Sequence, residues 1–436
     1  MATRSFKQAL SLRWRRIWLP RWRRRGLFVI GGIFVGLAAV AMAFMADEAQ
    51  RLFFLAQQQW PYLPLLVTPT GFAILAWVTK RHFDGAQGSG IPQVIAARQM
   101  TDMAAKQQLV SPKLAVAKMF LLTAGLLFGA SAGREGPTVQ IGASVMFFLG
   151  RFAPHRQPGL LLAGAAAGVS AAFNAPLAGI VFGIEEMSRS FELRTSGLVL
   201  GTVIVAGLTS LAILGDYTYF GRSNQTLALG AQWFAIPVVG VVCGLAGGGF
   251  SRVVIAFAFG LPGKAGRLIK QHPVLFAATC GMIVAVCGVL TDGVAFGTSA
   301  EQAKAILAGE QVTGLFGPLK LIATMVTAIS GIPGGIFSPS LSVGAGIATL
   351  LQDVLGLPIG ALAIMCMAAY LAAVLQAPIT AFVIVTEMTG NHALIFPVML
   401  CAVIASFVSK GICKEGIYHA LAHQILHKAQ SARNIT

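Results

Sequence analysis

Charge is scarce in this chain, and acid is scarcest. Of 436 residues only 11% are charged, with 15 Asp and Glu against 32 Lys and Arg, where an ordinary soluble domain carries roughly 25% charged residues. No polar stretch is long enough to form a separate water-soluble domain, so the chain reads as one membrane domain. The six cysteines, Cys243, Cys280, Cys287, Cys366, Cys401 and Cys413, show no CxxC spacing and nearly all sit in apolar runs. That argues against a disulfide framework or a thiolate metal site and leaves them as small core residues. An embedded enzyme would need a nucleophile–base pair or a metal set, and neither an HExxH zinc signature nor a GxSxG nucleophile elbow is expected to supply one.

Hydrophobicity takes the place of charge. It reaches 56% of residues, in runs at 27–46, 62–79, 114–130, 158–185, 196–214, 233–250, 274–291, 357–386 and 394–409. Several exceed the ~20 residues a helix needs to cross a bilayer. Only helices and closed barrels satisfy their backbone in lipid, and runs this long are helical. The chain is therefore read as an all-α, polytopic membrane protein.

The net charge of +17 is distributed like that of a membrane protein, not a nucleic-acid binder. Residues 1–25 hold nine basic residues and no acidic one, and further basic clusters lie at 80–113, 151–156, 189–194 and 264–270. The polar loops 47–51, 215–222 and 292–310 hold six acidic residues against three basic. Excess Lys and Arg marks the cytoplasmic side, so both termini are expected inside and those loops outside. The basic arm, with Trp14, Trp18 and Trp22 interleaved, suits anionic lipid headgroups. Its "RRRGLFVI" imitates a cleavable, even twin-arginine, signal, but the run that follows is long enough to span and is expected to be retained. Three domains follow: a basic cytoplasmic arm over 1–26, a transmembrane domain over 27–422, and a cytoplasmic tail over 423–436. Towards the C-terminus His419, His423 and His427 recur every fourth residue on one helical face, which reads as a solvated cytoplasmic surface.

The sequence repeats itself at an offset of 202 residues. "GREGPTVQIGA" (133–143) falls over "GIFSPSLSVGA" (335–345), matching Gly133 with Gly335 and Pro137 with Pro339. At the same offset "NAPLAGIVFGIEE" falls over "QAPITAFVIVTEM", matching Pro176 with Pro378 and Glu185 with Glu387. Two halves of a membrane chain with Gly/Pro-interrupted segments at matching positions mark a repeat-built transporter, with its site near the midplane between broken helices. The sequence alone leaves open whether the repeats are parallel or inverted.

Three stretches fit such broken ends: "GSGIP" (88–92), "GREGP" (133–137) and "GGIFSP" (334–339). Proline is tolerated in a helix's first turn, and a helix N-terminus offers unpaired N–H groups and about half a positive charge. Several converging N-termini would hold an anion weakly enough for it to leave again. Arg134 and Glu135 stand inside one of these stretches, and an intramembrane ionisable residue is a functional hypothesis by default.

Together with "NAPLAGIVFGIEEM" and the late "IYHALA", these motifs resemble the CLC family of chloride channels and proton-coupled chloride transporters, in family order from about residue 27 to about 422. The resemblance implies two inverted halves with roughly seventeen uneven membrane helices per subunit, and a homodimer with one pathway in each subunit. It implies that Ser89 and Tyr418 offer hydroxyls to a central anion. The amides of Ile336 and Phe337 would complete that site, and those of Arg134, Glu135 and Gly136 would line an outer one. Glu135 would be the gating glutamate, and Glu186 the inner glutamate that receives protons from the cytoplasm. Arg134 would add a positive outer field, while Glu185 and Glu387 read as helix-end carboxylates.

The function implied is chloride/proton antiport across the cell inner membrane, with chloride as the bound substrate and no cofactor. A passive voltage- or pH-gated chloride channel of the same fold is the alternative. Ser89 points to chloride over nitrate or fluoride. Two departures stand out. From Gly85 to Thr101 there is no acid where some relatives carry it. Little chain follows Tyr418, so control through paired nucleotide-sensing domains is not expected.

Overall fold

The computed structural model describes residues 2–188, 193–215, 218–310 and 312–433, with side chains from residue 26 onward except at 193–196 and beyond 431. The basic arm with Trp14, Trp18 and Trp22, and Asp216 in the outer loop, thus lie outside the described side chains. Among the described residues the chain is helical, with nineteen α-helices. In order these are α1 (Ala2–Gln59), α2 (Pro64–His82), α3 (Ile91–Gln99), α4 (Met103–Leu109), α5 (Pro112–Leu127) and α6 (Glu135–Leu149). Next come α7 (Gln157–Phe173), α8 (Pro176–Phe182), α9 (Leu193–Leu214), α10 (Ala235–Phe259), α11 (Gly263–Gln271) and α12 (Pro273–Val289). The rest are α13 (Ala300–Ala308), α14 (Phe316–Ile329), α15 (Phe337–Leu355), α16 (Ile359–Leu375), α17 (Pro378–Thr389), α18 (Ile395–Ile412) and α19 (Ile417–Arg433).

Five of the described stretches are long and apolar enough to cross a membrane: Gly26–Gln59, Met103–Leu127, Gly197–Leu214, Ala231–Phe259 and Ile395–Ile412. Most of the other helices are shorter, and two apolar runs that look continuous are broken. The run 158–185 divides at Asn174 and the run 357–386 at Gln376, both in the left-handed conformation at φ 52° and 58°. Each is followed by an alanine and then a proline at the next helix start. Left-handed Asn ends a helix, and Pro is preorganised to begin another. The acidic stretch expected as an outer loop at 47–51 is instead the late part of α1, and 300–308 is helix α13.

The 202-residue offset recurs in the coordinates. Helices α6 and α15 start at Glu135 and Phe337, and α7 and α16 run over Gln157–Phe173 and Ile359–Leu375, both pairs 202 apart at the start. Gly133 and Gly335 exchange both backbone hydrogen bonds, each 2.8 Å, in an antiparallel bridge. Equivalent residues that bond each other antiparallel are related by a local two-fold axis and run in opposite directions. The bridge thus sets matching segments of the two halves antiparallel about a local two-fold axis, the arrangement that inverted halves require. A Cβ at Gly335 would stand 2.8 Å from the Gly133 carbonyl and 2.9 Å from Pro137 Cδ, and one at Gly133 would stand 3.0 Å from Pro339 Cδ. Only glycine lets the two chains meet there.

The same symmetry governs the helix ends. The Glu387 carboxylate accepts from the amides of Leu177 (3.1 Å) and Ala178 (2.6 Å) in the first turn of α8. The Glu185 carboxylate accepts from Ile379 (3.2 Å) and Thr380 (2.6 Å) in the first turn of α17. Each half thus caps the broken helix of the other, satisfying amides that have no partner within their own helix. Both glutamates are helix-end carboxylates, as their place in the repeat suggests. Helix α16 is buried from Gly360 to Leu375, as a helix apolar on every side must be, and packs against α10, α15 and α18.

The reciprocal caps predict matched losses. Glu185→Gln and Glu387→Gln should each destabilise the protein by about 1 kcal/mol, read as similar falls in the thermal unfolding midpoint in detergent. A fall in one variant with none in the other would contradict the symmetric role.

Candidate anion and proton pathway

The three Gly/Pro motifs are stitched together by backbone. Besides the Gly133–Gly335 bridge, Gly88 N–H donates to Ile332 O and Gly334 N–H to Gly88 O, both at 3.1 Å. Gly90, at φ 95°, turns the chain into α3. Lys118 of α5 is fully buried and its Nζ donates to Gly88 O at 2.7 Å, which fixes the loop carrying Ser89. Its repeat equivalent Lys320 of α14 is also fully buried and donates to Gly297 O (2.7 Å), Ser131 Oγ (2.9 Å) and Ala295 O (3.0 Å). Three acceptors match the three donors of an ammonium.

Ser131 lies in Gly129-Ala130-Ser131-Ala132-Gly133, which has the spacing of a hydrolase nucleophile elbow. The geometry does not serve that chemistry. Ser131 accepts from Lys320 and pairs with Thr324 Oγ1 at 3.0 Å, and the lysine's donors are all engaged, so it offers no lone pair as a base.

The residues singled out from sequence converge here. Ser89 Oγ lies against the start of α6, since a Cβ at Gly136 would stand 2.2 Å from it. Tyr418, in the first turn of α19, is buried with its ring 6.0 Å from that of Phe337. The hydroxyls of Ser89 and Tyr418 are both buried and lie close to each other, and neither meets hydrogen-bond geometry with another described residue. Buried polar groups are normally paired, so this pair can turn its donors to a dehydrated ion. Helix α6 begins at Glu135 and α15 at Phe337, so the amides at both starts have no partner within their helices.

Glu135 is fully buried. Its Oε1 accepts from Ser338 Oγ at 2.5 Å, with Tyr219 Oη 3.5 Å away. An ionised Glu135 would be expected to lie among the amides of its own helix, but the carboxylate is held by hydroxyls from across the repeat interface. At the first position of α6 its side chain reaches sideways to the first turn of α15, which the Gly133–Gly335 bridge brings alongside. Neither Ser338 nor Tyr219 is marked as a site residue by the sequence.

Arg134 caps the start of α6 and is buried. Its Nη1 donates to Ala43 O at 2.9 Å and to Asp47 Oδ1 at 2.6 Å. The positive outer field expected of Arg134 is thus partly offset by an acid on α1. Arg134 and Tyr219 line one cavity of about 970 Å³, the outer one in the expected orientation, along with Asp47, Gln50, Thr298 and Glu301. A second cavity of about 890 Å³, the inner one in that orientation, is lined by Ser89, Gln87, Gln93, Lys113, Gln424 and Lys428.

Glu186 is buried in a π-helical segment, Gly183–Ser188, that continues α8. Such segments cluster at functional sites. His419 Nε2 lies 3.6 Å from Glu186 Oε1. This corrects the reading of the histidine face: His423 and His427 are exposed, but His419 is buried beside Glu186. Tyr418 lies within electrostatic reach of both Glu135 and Glu186. Five of the six cysteines are buried in the core, with Cys413 half-buried.

Residues 71–410 match the voltage-gated chloride channel family. A relative from Yersinia pestis bv. Antiqua (strain Angola), the H(+)/Cl(-) exchange transporter ClcA, is 30% identical over 434 residues, covering 92% of this chain and 87% of its own. The protein of the same name from Cronobacter sakazakii (strain ATCC BAA-894) is 31% identical over 432 residues, covering 92% and 90%. Among solved structures, a slow cyanobacterial Cl-/H+ antiporter superposes with a TM-score of 0.77 at 23% identity, over 92% of this chain and 97% of that one. With its motifs, its inverted repeat and these matches in agreement, the chain belongs to the voltage-gated chloride channel family.

Proposed function

We propose that this multi-pass membrane protein is a secondary active transporter that exchanges chloride for protons. The observation that carries this reading is a pair of buried carboxyl groups, Glu135 and Glu186, both within electrostatic reach of the buried Tyr418. A passive channel needs only the anion path; two buried carboxyl groups flanking the anion site's tyrosine would supply a proton path as well. Relatives named as H(+)/Cl(-) exchange transporters support the same choice, and a transporter needs no covalent chemistry, so no enzymatic activity is assigned.

In this reading the central anion is held by the Ser89 and Tyr418 hydroxyls and the amides of Ile336 and Phe337. The outer anion position is lined by the amides of Arg134, Glu135 and Gly136. These partners are partial charges, which attract chloride without trapping it. Ionised Glu135 competes with chloride as a tethered anion; once protonated it loses that attraction and admits the ion. Glu186 exchanges protons with the cytoplasmic side, with His419 beside it. The protein works as a homodimer in the cell inner membrane with both termini cytoplasmic, one pathway per subunit, and it uses chloride and protons without a cofactor.

Chloride-driven proton uptake in reconstituted liposomes tests the assignment. Glu135→Gln imitates the protonated gate and should pass chloride without coupling. Glu186→Gln keeps nearly the same volume and should stop proton movement while chloride flux persists, because the anion path does not run through this carboxyl group. Proton uptake retained in both variants would overturn the reading.

Tyr418→Ala removes a hydroxyl donor to the ion. A bond of that kind contributes roughly 1.5–3 kcal/mol, so calorimetric chloride affinity should fall roughly tenfold or more, and fewer protons should move per chloride. Unchanged affinity and coupling would remove Tyr418 from the site.

A further inference from the structure

Two hydroxyl side chains meet the gate carboxylate from elements far apart in sequence. Ser338 is in the first turn of α15, where its Oγ donates to Glu135 Oε1 at 2.5 Å. Tyr219 lies on the loop between α9 and α10, its Oη 3.3 Å from Ser338 Oγ and 3.5 Å from the same Glu135 oxygen. All three side chains are buried. We propose that Ser338 and Tyr219 form a hydroxyl latch that holds ionised Glu135 closed and sets the pH at which the gate opens. The proposal rests on the gating role assigned to Glu135 above and names the residues that tune it.

The donor count supports this direction. Each hydroxyl has one proton to give. Ser338 gives its proton to the carboxylate, at the short distance of a charge-assisted O–H···O⁻ bond. Tyr219 gives its proton either to the same oxygen or to Ser338 Oγ, and the second arrangement polarises the serine and strengthens its bond. Either way both protons favour the charged carboxylate over the neutral acid. Both donors point at Oε1, so a neutral Glu135 would carry its proton on Oε2, which has no hydrogen-bond partner among the described residues, and would leave Oε1 a weaker acceptor for the two hydroxyls.

The loop is built to present Tyr219 firmly. Phe220 N–H donates to Met388 O (3.0 Å) and Ser223 N–H to Thr389 O (2.9 Å), which ties the loop to the end of α17. Asn391 Nδ2 donates to Gln225 O at 2.9 Å. The Tyr219 ring packs edge-on against Phe173 at 6.1 Å and Phe220 at 5.0 Å. Tyr219 therefore forms the outer wall over Glu135, at the floor of the outer cavity.

Other charged groups also lie around α6. Arg134, at the cap of the helix, donates to Asp47 of α1, and its charge also reaches Glu135 and Tyr219, a field common to all the variants compared below. Lys118 of α5 and Lys320 of α14 are bonded to backbone carbonyls, and Arg98 of α3 to the Met187 carbonyl. Helix α7 carries no charged residue, α15 brings the Ser338 hydroxyl, and α19 brings Tyr418. The two hydroxyls are the contacts made directly to the carboxylate.

If the two hydroxyls hold the gate closed, flux with both in place should rise only at lower external pH than flux with one removed. Removing a donor should move the flux–pH curve to higher pH by about one unit, the size expected for one hydrogen bond to a charge.

The test is chloride flux against external pH in liposomes, for the unmodified protein and for Tyr219→Phe and Ser338→Ala. Tyr219→Phe keeps the ring and its packing and loses only the hydroxyl. Both variants should shift the midpoint upward, and Ser338→Thr, which keeps a hydroxyl, should shift it less than Ser338→Ala. The same substitutions made on Glu135→Gln should cause no shift, because the group they act on no longer titrates. Midpoints unchanged in both Tyr219→Phe and Ser338→Ala, with Glu135→Gln insensitive to pH, would overturn the latch and leave the gate assignment standing. Persistent pH dependence in Glu135→Gln would overturn the gate assignment itself.

Discussion

The architecture depends on one close backbone approach, the antiparallel bridge between Gly133 and Gly335. It sits on the local two-fold axis that relates the two halves. The bridge sets the starts of α6 and α15 side by side, so that orphan amides from both helices face one small volume. A side chain at either glycine would strike backbone or proline of the opposite half. The sites on either side inherit their positions from that contact: the Ser89 loop is bonded to residues 332–334, and Ser338 reaches Glu135 across it.

Buried charge is the second constraint, and the fold answers it locally. Lys118 and Lys320 are repeat equivalents, and each directs its amine at carbonyls of the loops it supports. Arg134 is paired with Asp47. Glu185 and Glu387 are held by amides of the opposite half. Against this background Glu135, held by two hydroxyls, and Glu186, beside a buried histidine, are the acids to which the proposed function assigns proton exchange. Buried charges that are paired or bonded cost far less than isolated ones.

Much of this is legible in the sequence, for physical reasons. Composition and run length specify membrane helices, and the 202-residue offset survives because glycine and proline are required at matching close approaches. Hydropathy does not see the breaks at Asn174 and Gln376, since one residue in a left-handed turn barely changes a run's mean. The histidine face is visible as a spacing, but which member is buried depends on how α19 lies against the π-helical segment. Ser338 lies inside a motif read for its backbone amides, which hides its hydroxyl. Tyr219 is a single loop tyrosine whose partners are 84 and 119 residues away, and no local pattern announces it.

The central claim is that chloride and protons move through one mechanism and not past each other. The most direct test is the reversal potential of the purified, reconstituted protein under a chloride gradient, with and without an opposing proton gradient. A coupled exchanger reverses away from the chloride equilibrium potential and shifts when the proton gradient changes. A reversal potential that stays at the chloride equilibrium value whatever the proton gradient would contradict the account.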